Sequence, residues 1–499
     1  MGLPSPQAMD VTTLRAVVSD LRSRMLPSRF EKAQQPDSQT LQLGFRTLKG
    51  MVWLELSWKA DCPRLVQIPP PPKQGSGSTL AQQSQHSLRQ LALVEIRQEG
   101  FERVVSFEFA NRPGDALKRH VVLEIMGRHS NLLLLDERRQ VIALGRQVRD
   151  HQSRVRPIGT GDAYTPPPPL QGRPPEADES FERWQRRLRL VPVPLSKALP
   201  QTYQGISPAL ARQLAGPLLK RSVEELSDPE WTQLHNQWRQ WLHCLREELF
   251  NLQLSGDGNY RVWGNQATVD QSCSEPIQPI SLMLGRFYSD QLQARELQRH
   301  SDDLRQRLVQ AKQREQLQLQ EQTERLKATE DAGQLQQEAD ALLCLPRPTR
   351  EQIDQSQKLY KKAKKLRRAV PLLMDRQQHH HQRLALIEGS EAFLDDVLTA
   401  DWDSHHERIR RLEELRLEAQ ELLAPRQRNK RRQGQSRPDG QPQPLEVRSP
   451  GGLTIQVGRN HRQNDWISLR QARPGDLWFH AQECPGSHVA LKASRGLAE

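Results

Sequence analysis

Long apolar runs are missing from this chain of 499 residues. Nothing in it approaches the ~18 consecutive apolar residues that cross a bilayer, so no membrane-spanning helix is expected. Aromatic residues make up only 5% and hydrophobic residues 35%, with a mean hydropathy of -0.77. So little apolar material cannot fill one large core, and single cores stop growing well below this length. Several domains with much solvated helix or linker are expected. Cysteine is sparse as well: Cys62, Cys244, Cys273, Cys344 and Cys484 form an odd, scattered set without a CxxC pair. That excludes a disulfide scaffold and fits free thiols in a reducing compartment. The opening Met1-Gly-Leu-Pro-Ser-Pro6 lacks a basic n-region and an apolar h-region, and Pro6 breaks the myristoylation pattern. A cytoplasmic location is expected. Walker, GxGxxG and HExxH elements are absent too, and neither a cofactor nor a metal is expected.

Positive charge is in excess. Lys and Arg number 72 against 60 Asp and Glu, a net charge of +12. Two readings fit: a polyanionic partner whose counterions are released on binding, or general solubility.

The most informative segment runs from Glu124 to Leu135. Val121, Leu123 and Ile125 alternate into the polar stretch Gly127-Arg-His-Ser-Asn131, and four leucines lead away from it. Strand, turn and strand are expected. A structural turn needs one Gly or Asn, not five such residues, so the tip reads as a holding site. His129 and Ser130 could imitate a nucleophile pair. Adjacent residues at a turn rarely align Oγ with a ring nitrogen, and no orienting acid is identifiable. RNA suits the tip better: Arg128 can fork onto a phosphate, Ser130 and Asn131 can bond phosphate, 2′-hydroxyl or base edges, and His129 can stack. Glu124 is expected to orient Arg128 or to accept from a base or ribose. Glu102-Arg103 forms a second acid–cation pair, and a plain surface salt bridge is the alternative for each.

Residues 1–8 read as a loose leader, with Met9 as an alternative start. Leu14, Val17, Val18 and Leu21 give a helical face with Thr12 or Thr13 as N-cap. Leu41–Leu56 reads as a hairpin about Lys49-Gly50, and Pro69–Ser78 as an exposed loop. A helix over Leu80–Glu95 and a meander through Val104–Phe109, Val121–Ile125, Leu132–Leu135 and Val141–Leu144 follow. These compose a mixed α/β domain over 9–170, to which 256–285 return. A helical region over 171–255 contains Gly205-Ile-Ser-Pro208, with Ser207 as N-cap and Pro208 as first helical residue. This helix–hairpin–helix either offers backbone N–H groups to phosphate or is a plain connector.

From 286 to 425 the chain is rich in Gln, Glu, Arg and Leu. Leu297/Leu304 and Leu319/Leu326 stand seven apart; Leu359, Ala363, Leu366, Val370 and Leu373 alternate spacings of four and three, as do Leu412, Leu415, Ala419 and Leu422. That is an a/d seam. The break at Pro346 and Pro348 predicts a long antiparallel coiled-coil hairpin, with arms of roughly 70–100 Å at ~1.5 Å per residue. Lys358–Arg368 carries seven cations among eleven residues, either a solvated face or an RNA contact. His379–His381 reads as a solvent-facing run. A basic disordered linker over 426–447 leads to a small α/β module over 448–499. There His480, Cys484 and His488, with His461 nearby, imitate a zinc site, but their spacing fits no standard pattern. The fold class expected is α+β multidomain.

The run Glu124–Asn131, the pair Glu102-Arg103, Gly205-Ile-Ser-Pro208, Lys358–Leu366, Gly458–Asp465, Asp476-Leu-Trp-Phe-His480 and Gly486-Ser-His-Val489 together resemble the RqcH/NFACT family, in the family's order, from about Met9 to the end. The resemblance implies a ribosome quality-control factor. Members bind a large ribosomal subunit still obstructed by peptidyl-tRNA and recruit alanyl-tRNA for mRNA-independent alanine tailing of the stalled chain. The ribosome makes the peptide bonds, so such a factor positions tRNA and is no enzyme. The implied tRNA-binding residues are Glu102, Arg103, Glu124, Gly127, Arg128, His129, Ser130 and Asn131. Those implied to contact RNA or ribosome are Lys361, Lys362, Lys364, Lys365, Arg367, Arg459, Asn460, Asn464, Asp465, Trp478, His480, Ser487 and His488.

Three departures stand out. Glu102 replaces an Asp frequent in relatives, and the coil tip Leu343–Arg350 is shorter than theirs. The last module stops at Glu499, before the family's usual end, and is expected to be incomplete. Two rival readings follow from the same resemblance. One is a surface adhesin, since the family has carried a fibronectin-binding label, although no export signal is visible. The other is a nucleic-acid enzyme resembling formamidopyrimidine-type DNA glycosylases, although their N-terminal Pro-Glu is not present.

Overall fold

The computed structural model describes residues 5–73, 78–149, 151, 153, 156–256, 258–264, 278–400, 405–423, 444–458, 461–480 and 487–495. The chain divides into two compact units between Ala294 and Arg295. Each is mixed in secondary structure, in line with an α+β class.

The first unit opens with α1 (Val11–Met25), whose N-cap is Asp10. The Asp10 carboxylate accepts from both the backbone N–H and the hydroxyl of Thr13. A cap at Thr12 or Thr13 is thereby corrected: both lie inside the helix. Leu14, Val17, Val18 and Leu21 are fully buried, as their spacing predicts. The strands β1 (Ser28–Asp37), β2 (Thr40–Thr47), β3 (Gly50–Ser57) and β4 (Arg64–Ile68) follow, then α2 (Thr79–Ser87) and β5 (Ala92–Gln98). The expected helix over Leu80–Glu95 thus stops at Ser87, and its last four residues belong to β5. Leu93 and Ile96 are buried in the sheet core, and strand pairing there overrides helix propensity. β6 (Val104–Ala110), β7 (Arg119–Glu124), β8 (Asn131–Leu135) and β9 (Val141–Leu144) complete one nine-stranded sheet, ordered β4-β3-β2-β1-β5-β6-β7-β8-β9.

Every neighbouring pair in this sheet is antiparallel. Successive side chains alternate between its faces. Val121, Leu123, Leu132 and Leu134 therefore join the main core with α1. Val122, Leu133 and Leu135 join a smaller core with Val141 and Ile158 on the opposite face. Burial on both faces explains the unbroken run of four leucines.

The helices α3 (Phe181–Leu188), α4 (Leu195–Thr202), α5 (Pro208–Ala215) and α6 (Asp228–Glu247) enclose a second core with Trp184, Trp231, Trp238 and Trp241. Ser207 caps α5, and its hydroxyl donates to Asp10. Gly205, at φ +76°, packs so closely that a Cβ there would lie 2.9 Å from both Phe101 and Val11. This turn is seated against the sheet domain, which favours the connector reading. The hairpin β10 (Gln253–Leu254) and β11 (Tyr260–Arg261) sends Tyr260 and Val262 into the main core. Within the returning segment 256–285, residues 257 and 265–277 lie outside the described residues. The first turns of α7 (Ile280–Lys327) also reach that core, where the Tyr288 hydroxyl meets that of Tyr260 at 2.6 Å.

In the second unit α7 and α8 (Ala332–Leu343) form one arm and α9 (Arg350–Thr399) the other. Arg305 bonds Asp395, Lys312 bonds Glu391, Gln377 bonds Thr323, and Ser356 bonds the carbonyl of Ala339. As one partner's number rises the other's falls, which is the antiparallel hairpin expected. With 48 residues in α7 and 50 in α9, each long helix extends roughly 70 Å at ~1.5 Å per residue. Two expectations are corrected. Leu412, Leu415 and Ala419 sit on a third helix, α10 (His405–Leu423), which packs with Leu304, Leu308, Ile387 and Leu394. The period of the seam holds, but α9 ends at Thr399 with Ala400 in extended conformation as its C-cap. His380 is not solvent-facing; it bonds Glu315 across the hairpin at 2.7 Å.

The last module has β12 (Leu445–Arg448), β13 (Thr454–Val457), α11 (His461–Asp465), β14 (Leu477–Phe479) and β15 (Val489–Leu491), with sheet order β12-β13-β15-β14. No helix among the described residues is long and apolar enough to cross a membrane.

Candidate nucleic-acid interface

Sheet register brings three segments to one end of the sheet. Val104 pairs with Glu124, Glu124 with Asn131, and Leu133 with Leu144. Glu102-Arg103, the turn after β7 and the exit from β9 therefore meet. The backbone N–H of Ile125 donates to the carbonyl of Arg103 at 2.9 Å, tying the first two together. The Asn131 side chain ties in the third: its Oδ1 accepts from the N–H of Arg146 and its Nδ2 donates to the Arg146 carbonyl, each at 2.8 Å.

The five-residue tip splits into two functions. Gly127–His129 forms a 3-10 turn, entered through Gly127 at φ +55°. Ser130 and Asn131 are buried, 2% and 3% exposed. Ser130 Oγ accepts from the Met126 N–H at 2.8 Å. These two side chains close the turn and are satisfied within the protein, so the expectation that they reach for RNA is corrected. Arg128 and His129 are exposed, with Arg128 Nε donating to His129 Nε2 at 3.1 Å.

Glu124 also differs from expectation. It is fully buried and takes the Arg156 guanidinium with both oxygens, at 2.6 and 2.8 Å. Tyr164 donates to the same carboxylate at 3.1 Å. Burial opposes the charge on Arg156, but the hydrogen bonds and negative charge of Glu124, with Tyr164, together outweigh that and raise its pKa. Burial, then the neighbouring Glu124 carboxylate, pushes the Tyr164 phenol well above its ordinary value, so it remains a donor. Glu124 therefore anchors Arg156 and does not orient Arg128.

Glu102 and Arg103 do not form a mutual salt bridge. Glu102 Oε1 accepts from the Leu170 N–H at 2.9 Å, and the half-buried Arg103 guanidinium makes no ion pair among the described residues. Arg146, which motif reading missed, is exposed and donates from its guanidinium to the Arg128 carbonyl. Its only signal in the sequence was its position two residues past the end of β9. Arg103, Arg128 and Arg146 thus share one end of the sheet, while the adjacent acids are engaged elsewhere. Such an arrangement can hold phosphates without neutralising itself.

The second unit presents the other candidates. Lys358, Lys361, Lys362, Lys364, Lys365, Arg367 and Arg368 are all exposed on α9, while Ala363 between them is buried in the seam. In the last module Trp478 stacks on His480 at 5.9 Å and 15°, and His488 stands edge-on to both. Ser468 links the group, accepting from Trp478 Nε1 at 3.0 Å and bonding His488 Nδ1 at 2.7 Å. Asn464 Oδ1 accepts from the His488 N–H, and Ser487 is exposed next to it. Asp465 ends α11, one residue beyond Asn464. Arg459, Asn460 and Cys484 lie outside the described residues, as does most of the 426–447 linker. Among the described residues no group of His, Cys, Asp and Glu could hold a metal ion.

A model of the family described as NFACT N-terminal and middle domains matches residues 10–348. The chain belongs to this family. Among similar proteins is the Rqc2 homolog RqcH of Streptococcus pneumoniae, 25% identical over 96% of this chain and 86% of that protein. The Bacillus subtilis protein of the same name is 22% identical over 80% of this chain and 72% of its own length. Among solved structures, the N-terminal part of the fibronectin/fibrinogen-binding protein from Streptococcus suis aligns with 56% of this chain and 99% of its own, at 22% identity and a TM-score of 0.43.

Proposed function

We propose that this protein is a cytoplasmic ribosome quality-control factor. It binds a large ribosomal subunit obstructed by peptidyl-tRNA and recruits a tRNA, alanyl-tRNA, for tailing of the stalled chain without mRNA. The observation that carries this reading is the gathering of Arg103, Arg128 and Arg146 at one sheet end, with Glu102 and Glu124 both engaged internally. Cations without competing acids hold RNA through its phosphates. The names of its relatives point to the same work. His129 is available to stack on an exposed base. Glu124 serves by positioning, and Gly127, Ser130 and Asn131 by shaping the turn.

The exposed lysines and arginines of α9 and the Trp478–His480–His488 cluster, with Asn464, Asp465 and Ser487, contribute ribosome and RNA contacts; Arg459 and Asn460 belong with them by motif. Peptide-bond formation stays with the ribosome, so no residue here is assigned a bond-making step and no cofactor is needed. The deciding experiment is purification of the full chain from cells with stalled translation, followed by sequencing of the RNA that accompanies it. tRNA together with large-subunit RNA is the expected result. Recovery of neither overturns the proposal, and binding to fibronectin at intact cell surfaces, or cleavage of lesion-bearing duplex DNA, would put an adhesin or a glycosylase in its place.

A further inference from the structure

A groove of about 330 Å³ on α6 is used by none of the contacts above; it is lined by Asn236, Arg239, Gln240, His243 and Arg246, with Ala177 and Leu242 as its apolar part. Its origin lies in the helix period. Trp231, Leu234, Trp238, Trp241 and Leu245 fasten one face of α6 into the second core. Asn236, Arg239, His243 and Arg246, three or four residues apart, are left together on the outer face, and all four are exposed.

The charge of this face is one-sided. From Trp231 to Arg246 the helix has no Asp or Glu; its acids are confined to the first turn and to Glu247. Arg239 makes no ion pair among the described residues. Arg246 bonds Glu247 at 2.8 Å, but both side chains are largely exposed, at 65% and 45%. Such a pair is weak and yields to a better anion. Glu176 and Asp178 flank Ala177 in the chain, yet neither lines the groove.

We propose that this groove is a separate RNA-contact strip that takes the phosphodiester backbone without reading sequence. Arg239 and Arg246 would each fork onto phosphate oxygens, and the Asn236 amide would bond a phosphate or a 2′-hydroxyl. Arg239 to Arg246 spans about 10 Å at ~1.5 Å per residue. That covers about three phosphate steps at the ~3.4 Å axial spacing of one strand of a duplex. The inference rests on the reading of this protein as a tRNA and ribosome binder, and it adds a second place on the first unit where RNA lies.

The test measures affinity of the full chain for unfractionated tRNA across a salt series. The variant Arg239→Ala/His243→Ala/Arg246→Ala is compared with Arg239→Lys/Arg246→Lys, and circular dichroism verifies folding of both. The alanine variant is expected to bind roughly tenfold or more weakly at 0.1 M salt, with a log–log slope shallower by about two. The lysine variant should keep most of the slope. If the parent binds tRNA and the alanine variant matches it in affinity and slope, this inference is overturned while the proposed function stands. If the parent binds no RNA, both fail. Pyrophosphate and adenosine monophosphate serve as competitors: displacement by either at micromolar concentration, lost in the alanine variant, would make the groove a small-phosphate site and overturn the RNA assignment.

Discussion

Glu124, the last residue of β7 before the turn that carries Arg128, forms a two-bond ion pair with Arg156, at 2.6 and 2.8 Å, across 32 residues of chain. The Glu124 side chain is 1% exposed and that of Arg156 14%. Removing one member leaves the other charge buried and unpaired, which costs about 3 kcal/mol or more. Glu124→Ala is therefore expected to lower stability by that amount in urea denaturation. Arg156→Met should cost a similar amount, and the double variant less than the sum of the two. Additive losses would mean that the two residues act independently.

The division of the polar tip gives a second expectation. Asn131→Ala removes two hydrogen bonds that join β8 to the β9 exit and one from the N–H of Leu132, and should cost about 1–3 kcal/mol. Arg128→Ala touches an exposed side chain and should change stability by no more than about 0.5 kcal/mol. For tRNA affinity at low salt the order reverses. Arg128→Ala, Arg103→Ala and Arg146→Ala should each weaken binding and reduce its salt dependence by about one unit of slope.

Two glycines with positive φ separate backbone strain from collision. Gly216, at φ +51°, has nothing within 4 Å of a built Cβ, whereas at Gly205, φ +76°, both Phe101 and Val11 lie within 2.9 Å. Gly216→Ala should cost about 1 kcal/mol through conformation alone. Gly205→Ala adds overpacking and should cost about 2–4 kcal/mol, read as a difference in thermal midpoint. Equal losses would show that the helix hairpin is not pressed against the sheet domain.

The last module should be acid-sensitive through Asp476. Burial alone would raise this carboxyl, but hydrogen bonds from Ser494, Arg473 and Lys492 outweigh it and hold the pKa far below the usual range. Lys492 is itself buried against it, at 3.2 Å. Because the folded pKa is depressed, its stabilisation is complete above the unfolded value of about 4 and fades as pH falls below it. Amide exchange along β14 and β15 should accelerate from pH 4 downward in the parent. Asp476→Asn should exchange faster at neutral pH and lose that acid dependence.

Much of the fold was legible because period is a local property. The face of α1, the hairpin at Lys49-Gly50, the meander from Val104 to Leu144, the Ser207 cap and the antiparallel arms all follow from spacing within a few turns of chain. Apolar content cannot distinguish a buried strand from a helix when both suit a short segment, and so the helix expected over Leu80–Glu95 runs on into β5. The a/d period also continues past the end of α9 at Thr399, which hides α10 as a separate helix.

Sequence alone determined which residues stand at the polar tip, where the cations of α9 lie, that the chain carries excess positive charge, and that its apolar content suits several modest cores. Tertiary structure decided their partners. Strand register, not proximity in sequence, brought Arg146 beside Arg128 and placed Arg103 across from Ile125. The need to satisfy buried polar groups turned Ser130 and Asn131 inward and gave Glu124 to Arg156 instead of to Arg128. A side chain's neighbours across 15 or 32 residues are set by how the sheet closes, and no local pattern records that.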